Sequence, residues 1–161
     1  DTTVSLITSV TRRLAELPEY QDRLRADRTG IHAFIEETLR LDGPAIGNPR
    51  HVTADCQIGG VDIPKGSTLT LLWGSANRDE EIYANPETFD PDRGERKKHV
   101  AFGSGPHMCP GATLARKETV AVVNALLDLG QPISLDCSTD SLRTVPSTIV
   151  RKLVSLPVKI G

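Results

Sequence analysis

The sequence predicts a mainly α-helical fold carrying small β-sheets, an α+β arrangement, on three observations. Apolar residues recur at three- and four-residue steps near the start of the chain and again beyond residue 110. Between residues 50 and 73 the pattern changes to short β-type runs separated by Gly-Gly and Pro-x-Gly turns. The last part, residues 145–160, has β-branched residues interrupted by Pro146 and Pro157, which suits short edge strands.

In chain order, Val4, Ile7, Val10, Leu14 and Leu17 mark a helix that ends at Pro18. A short polar helix follows to about Ala26. Asp27-Arg28-Thr29-Gly30 then introduce a stronger helix over residues 31–41, with Ile31, Phe34, Ile35, Thr38 and Leu39 on its buried side and Gly43-Pro44 as its stop. His51-Val52-Thr53 and residues 68–73 read as strands, with hairpin turns at Gly59-Gly60 and at Pro64-Lys65-Gly66. Residues 75–99 are irregular and rich in Pro, Asp and Asn; a loop of that length within a compact domain is usually functional or disordered. A helix is predicted from about Pro110 to Leu129, with Gly130 as its C-terminal cap and Pro132 as its stop.

The chain of 161 residues is long enough for a domain with a real core. Nineteen Lys and Arg against 21 Asp and Glu leave no basic excess of the kind nucleic-acid binders carry. No apolar run reaches membrane-spanning length and no signal-peptide pattern is read; the cysteine usage makes a reducing, cytoplasmic setting the expectation. The cysteines Cys56, Cys109 and Cys137 form no even framework and no CxxC pair. Aromatic residues are only 4% of the chain, so the interior must rest on Leu, Ile, Val and Ala.

The stretch FGSGPHMCPGATLAR, residues 102–116, puts Cys109 between a glycine-rich loop and a helix. Glycines allow tight turns and close approach, and a helix N-terminus favours a thiolate. Several chemistries remain open on these residues alone. Cys109 reads as a buried structural cysteine, as a zinc ligand with His107, as a nucleophile with His107 as base, or as a thiolate ligand to haem iron. The zinc reading lacks further ligands, because His32, His51 and His99 show no paired spacing.

FGSGPHMCPG resembles the haem-binding loop of the cytochrome P450 superfamily, Phe-x-x-Gly-x-x-x-Cys-x-Gly, at Phe102, Gly105, Cys109 and Gly111. Glu37-Thr38-Leu39-Arg40 resembles the family's Glu-x-x-Arg helix. On its own such a pair is usually a solvated one, contributing about 0.3 kcal/mol. The segments Ala76-Asn77-Arg78-Asp79 and Phe89-Asp90-Pro91-Asp92-Arg93 are similar to the family's meander, and the resemblance makes Arg93 a third member of a Glu37–Arg40–Arg93 network. It also implies Cys109 as axial ligand of haem b (iron protoporphyrin IX), with Phe102, Gly103, Gly111 and Ala115 against the cofactor. Arg50 and His107 would pair with its propionates, as anions require when partly buried. The plain alternatives are a solvated strand-end arginine and a loop histidine bonded to backbone. Asp1-Thr2 resembles the acid–alcohol pair of the family's central helix, which manages oxygen and protons.

Pro110 departs from the family pattern, where an aliphatic residue is usual; at a first helical position it is tolerated but removes one N–H near the sulfur. The resemblance covers residues 1–161 as the C-terminal portion of a single cytochrome P450 domain, starting within the central helix, with the N-terminal half absent. It implies a monooxygenase that inserts one atom of O2 into a small hydrophobic substrate. The electrons would come from a ferredoxin-type donor with its reductase, and Arg96-Lys97-Lys98 and Arg116-Lys117 offer either a docking patch or a merely solvated surface. The loop with Ala45, Ile46 and Gly47 is expected to line part of the substrate pocket. A truncated, non-catalytic haem-binding module and a peroxide-using enzyme are the alternatives.

Overall fold

A computed structural model describes residues 1–94 and 98–161. Five helices carry the architecture: α1 (Thr2–Glu16), α2 (Pro18–Ala26), α3 (Ile31–Asp42), α4 (Trp73–Ala76) and α5 (Ala112–Asp128). The strands are β1 (Asn48–His51), β2 (Cys56–Ile58), β3 (Val61–Ile63), β4 (Thr68–Leu71), β5 (Ile133–Leu135) and β6 (Val158–Ile160), in three two-stranded antiparallel sheets.

The helices α1, α3 and α5 pack on one another around a single core. On α1 the buried row is Leu6, Val10 and Leu14, spaced one helical turn apart, while Val4 of the expected row is 60% exposed. Ile31, Phe34, Ile35 and Leu39 of α3 and Val123 and Leu127 of α5 complete the core. All five residues assigned to the buried side of α3 are buried. Phe34 anchors an aromatic cluster, with ring centroids 5.4 Å from Tyr20 and 5.1 Å from Phe89, so the irregular segment after α4 is pinned to the helices. The buried amide of Gln21 donates to the carbonyls of Leu14 and Ile133 and accepts from the Ile133 N–H, which ties β5 to the helical core.

Three expectations are corrected by the fold. Gly59-Gly60 does turn the β2–β3 hairpin, but Pro64-Lys65-Gly66 does not close a second one, because β4 pairs with β1 in the register Asn48↔Leu71 to His51↔Thr68. A turn signal tells where the chain reverses and not which strand it then meets. Trp73 opens the short helix α4 instead of ending a strand, and its indole N–H donates to Asn48 Oδ1 at 2.6 Å. Helix α5 begins at Ala112 with Gly111 as N-cap, so Pro110 lies outside the helix, in the turn closed by Ala112 N–H on Cys109 O. The C-terminal strand β6 pairs with β5, whose strand character behind Pro132 the sequence did not suggest.

Candidate cofactor cleft

A cleft of about 640 Å³ lies between the start of α1 and the loop preceding α5. Thr2, Thr3 and Leu6 line it from α1, and Phe102, Gly103, Cys109, Gly111 and Ala115 line it from the loop and α5. Arg50, from β1, and His107, from a short 3-10 turn, line it as well. The remaining lining includes Leu39, Pro44, Ala45 and Ala101, all apolar.

The cysteine loop owes its shape to its own backbone. Gly103 and Gly105 adopt φ of +73° and +75°, where a side chain would be strained. The N–H of Gly103 bonds Val100 O at 2.8 Å, and the N–H of Cys109 bonds Phe102 O at 2.9 Å, closing the loop on itself. Cys109 is half-buried. A Cβ on Gly111 would stand 3.8 Å from the Cys109 sulfur, so this glycine keeps free the space beside the thiol. Arg50 hydrogen-bonds only to the carbonyl of Pro49, and neither it nor His107 has a carboxylate partner among the described residues. A thiol at one wall, a mostly apolar lining broken by Thr2, Thr3, Asn48 and Ser104, and two donors without a carboxylate partner among the described residues fit a flat, largely apolar group with acidic substituents and a metal centre.

The proposed acid–alcohol pair is divided. Thr2 lines the cleft, and so does Thr3, which the sequence reading passed over because one hydroxyl beside an acid satisfied the motif. The Asp1 carboxylate lies outside the lining, exposed, 3.4 Å from Lys152 Nζ.

Glu37, Arg40 and Arg93 come together in the interior. Arg40 grips Glu37 with Nε at 2.9 Å and Nη2 at 2.7 Å, and Arg93 Nε adds a bond of 2.9 Å to the same carboxylate. Other guanidinium protons meet carbonyls: Arg40 donates to Asn77, Pro86 and Thr88, and Arg93 to Ala84 and Thr88. The Glu37 and Arg40 side chains are wholly buried, and the guanidinium of Arg40 also lies over the Tyr83 ring at 5.0 Å. The network thus fastens α3 to the irregular segment before the cysteine loop.

A second cluster was not foreseen. Glu36, the neighbour of Glu37 on α3, accepts Arg116 Nε on Oε1 at 2.6 Å and Nη2 on Oε2 at 2.8 Å, and His99 Nε2 lies 3.0 Å from the same Oε2. Its partners stand 80 and 63 residues away, so no local spacing could have signalled them. Arg116, expected in an open basic patch, is instead committed to Glu36 and covers the Phe102 ring at 4.5 Å. Of the other basic residues named for that patch, Lys98 and Lys117 are exposed, and Arg96 and Lys97 lie outside the described residues.

Burial alone would raise the Glu36 carboxyl, but hydrogen bonds from Arg116 and His99 outweigh it and hold it at about 2, against an ordinary 4.5. A depressed acid stabilises the fold fully above its ordinary value, and that share disappears as pH falls from about 4.5 towards 2. After discounting for solvent screening, about 1–2 kcal/mol is at stake. Urea unfolding at pH 6 and pH 3 should show Glu36→Gln losing less stability on acidification than the parent. Equal losses would mean that the Glu36 cluster does not persist in solution.

Helices packed on a shared core, small two-stranded sheets and a cleft at a cysteine loop are the arrangement on which the chain compares with known proteins. The family described as Cytochrome P450 matches residues 7–129. Cytochrome P450 144 of Mycobacterium tuberculosis is 39% identical over 160 residues, covering 99% of this chain and 36% of that relative. Cytochrome P450 107B1 of Saccharopolyspora erythraea is 40% identical over 162 residues, covering 100% of this chain and 40% of that one. Among solved structures, substrate-free CYP150A6 of Mycobacterium marinum superposes with a TM-score of 0.93 at 34% identity, over 99% of this chain and 41% of the other. The chain belongs to the cytochrome P450 family, whose cofactor is a haem iron. It spans about two-fifths of the length of these relatives. Among the described residues no helix is long and apolar enough to cross a membrane.

Proposed function

We propose that this chain is the C-terminal, haem-thiolate portion of a bacterial-type cytochrome P450 monooxygenase, and that haem b sits in the cleft with Cys109 as its axial ligand. The observation that carries this reading is the half-buried Cys109 in a glycine-shaped loop at the wall of the apolar cleft that Arg50 and His107 share. Family membership supports it, and the likeness to P450 monooxygenases such as TamI, solved with tirandamycin C bound, is consistent with a hydrophobic organic substrate.

Bound there, the haem supplies dioxygen activation, leaving one oxygen atom in the substrate and the other in water. The Cys109 sulfur would hold the iron and donate electron density to it. Arg50 and His107 would hold the propionates. Phe102, Gly103, Gly111 and Ala115, which line the same cleft, would lie against the cofactor. From the α1 wall the Thr2 hydroxyl would offer a hydrogen bond to oxygen or water in the cleft, and Asp1, exposed beside Lys152 and outside the lining, would support proton supply to it. Electrons arrive from a ferredoxin-type donor and its reductase, with exposed Lys98 and Lys117 available to an acidic partner. Val4, Leu72 and Val154, each more than half exposed, would be covered by the rest of the P450 domain.

The test is the carbon monoxide difference spectrum of the reduced full-length protein beside Cys109→Ala. A strongly red-shifted Soret band in the parent, absent from the variant, is expected. A band that survives the substitution would remove Cys109 from the role of ligand.

A further inference from the structure

The roles above leave the Glu36 cluster without a task, although its Arg116 lies over the ring of Phe102 in the cysteine loop. Helix α3 carries two adjacent acids with different partners: Glu37 binds Arg93 of the irregular segment, and Glu36 binds His99 before the cysteine loop and Arg116 on α5 after it. Both oxygens of Glu36 receive Arg116, through Nε and Nη2, so the guanidinium is fixed in plane and in rotation. Its flat face then covers the Phe102 ring at 4.5 Å. His99 meets the same carboxylate through Nε2, while its Nδ1 accepts the N–H of Ala101 at 3.2 Å. One carboxylate therefore restrains the backbone at Ala101 and, through Arg116, the ring of Phe102. The Phe102 carbonyl in turn accepts the N–H of Cys109 at 2.9 Å.

We propose that Glu36, Arg116 and His99 form a positioning unit for the Cys109 thiolate, acting through Phe102. The inference rests on the reading of Cys109 as the iron ligand. None of the three lines the cleft. Their part is to hold the Phe102 ring and carbonyl, and so the Cys109 backbone, in the one arrangement that presents the sulfur to the cleft. A half-exposed ion pair meant only for stability would not need this geometry. A bidentate grip on a guanidinium stacked on the ring beside the ligand does.

The experiment uses the full-length holoprotein and reads two quantities: the ratio of non-thiolate to thiolate Soret bands in the reduced carbon monoxide complex, and the midpoint potential of the iron. Glu36→Gln and Arg116→Gln should each raise that ratio roughly three- to tenfold, the scale of a partly desolvated cation–π contact. The double variant should be no worse than either single one, because the residues act as one unit. Arg116→Lys should behave as Arg116→Gln does, since an ammonium cannot reproduce the fork. Phe102→Leu leaves every charge in place and should give the same shift, with Glu36→Gln adding nothing on that background; it keeps the test open should an ion-pair variant fail to fold. Arg23→Gln, which breaks an exposed pair with Asp92, is the control and should change neither quantity. Folded, haem-loaded Glu36 and Arg116 variants with the parent band ratio and potential would overturn the proposal, as would an Arg116→Lys variant identical to the parent. Failure of the ligand reading looks different: the parent would lack the red-shifted band, or Cys109→Ala would retain it.

Discussion

Glu37→Ala is expected to destabilise the protein by about 3–5 kcal/mol, because it takes from two buried guanidinium groups the carboxylate they share. That is a large fraction of the roughly 5–15 kcal/mol that holds an ordinary domain together. The exposure of the partners decides the size: an exposed pair would contribute less than about 1 kcal/mol, whereas the Arg40 and Glu37 side chains are wholly buried and that of Arg93 is 5% exposed. Replacing all three residues by apolar ones removes the buried charges, a change that elsewhere can be neutral. Here it should not rescue the fold. The carbonyls of Asn77, Ala84, Pro86 and Thr88 would lose their donors, at about 1–3 kcal/mol for each left buried and unpaired. Denaturant unfolding of Glu37→Ala and of the triple apolar variant checks both statements. A midpoint unchanged in Glu37→Ala would mean that the network does not hold the segment before the cysteine loop.

Haem retention should respond most to the double substitution Arg50→Ala/His107→Ala. A hydrogen bond to a charged group contributes about 1.5–3 kcal/mol, so each single change should speed haem transfer to an acceptor apoprotein about 10-fold or more. In the double variant both anchors are gone, and roughly 100-fold is expected if the two act independently. The stability of the haem-free protein should barely move, since among the described residues the Arg50 side chain hydrogen-bonds only the Pro49 carbonyl, and both Arg50 and His107 are exposed. This contrast separates anchoring from folding. Transfer rates equal to the parent's would assign both residues to the surface.

The same chain of 161 residues thus holds two kinds of information. What its sequence determined by itself is whatever local chemistry dictates. The helices α2 and α3 follow from Pro18, Asp27 and Gly43, and the buried side of α3 follows from its apolar spacing. The cysteine loop announces itself because Gly103 and Gly105 must take positive φ, and family membership rests on that same stretch together with the rest of the match. These features depend on neighbours along the chain, so a short window contains their cause.

Only the tertiary structure decided the rest. The partner of β4 is β1 and not β3, because strand pairing is a competition among segments distant in sequence. The start of α5 moved past Pro110, since Gly111 takes the capping position once the loop has closed on Cys109. Asp1 and Thr2, adjacent in sequence, face Lys152 and the cleft respectively. Above all, Glu36 and Glu37 look alike in sequence, and the fold gives each its own cations from far along the chain: Arg116 and His99 for one, Arg93 in addition to Arg40 for the other. A carboxylate's ordinary value says nothing of its partners. Which charges meet in a low-dielectric interior is set by packing, and packing is a property of the whole fold.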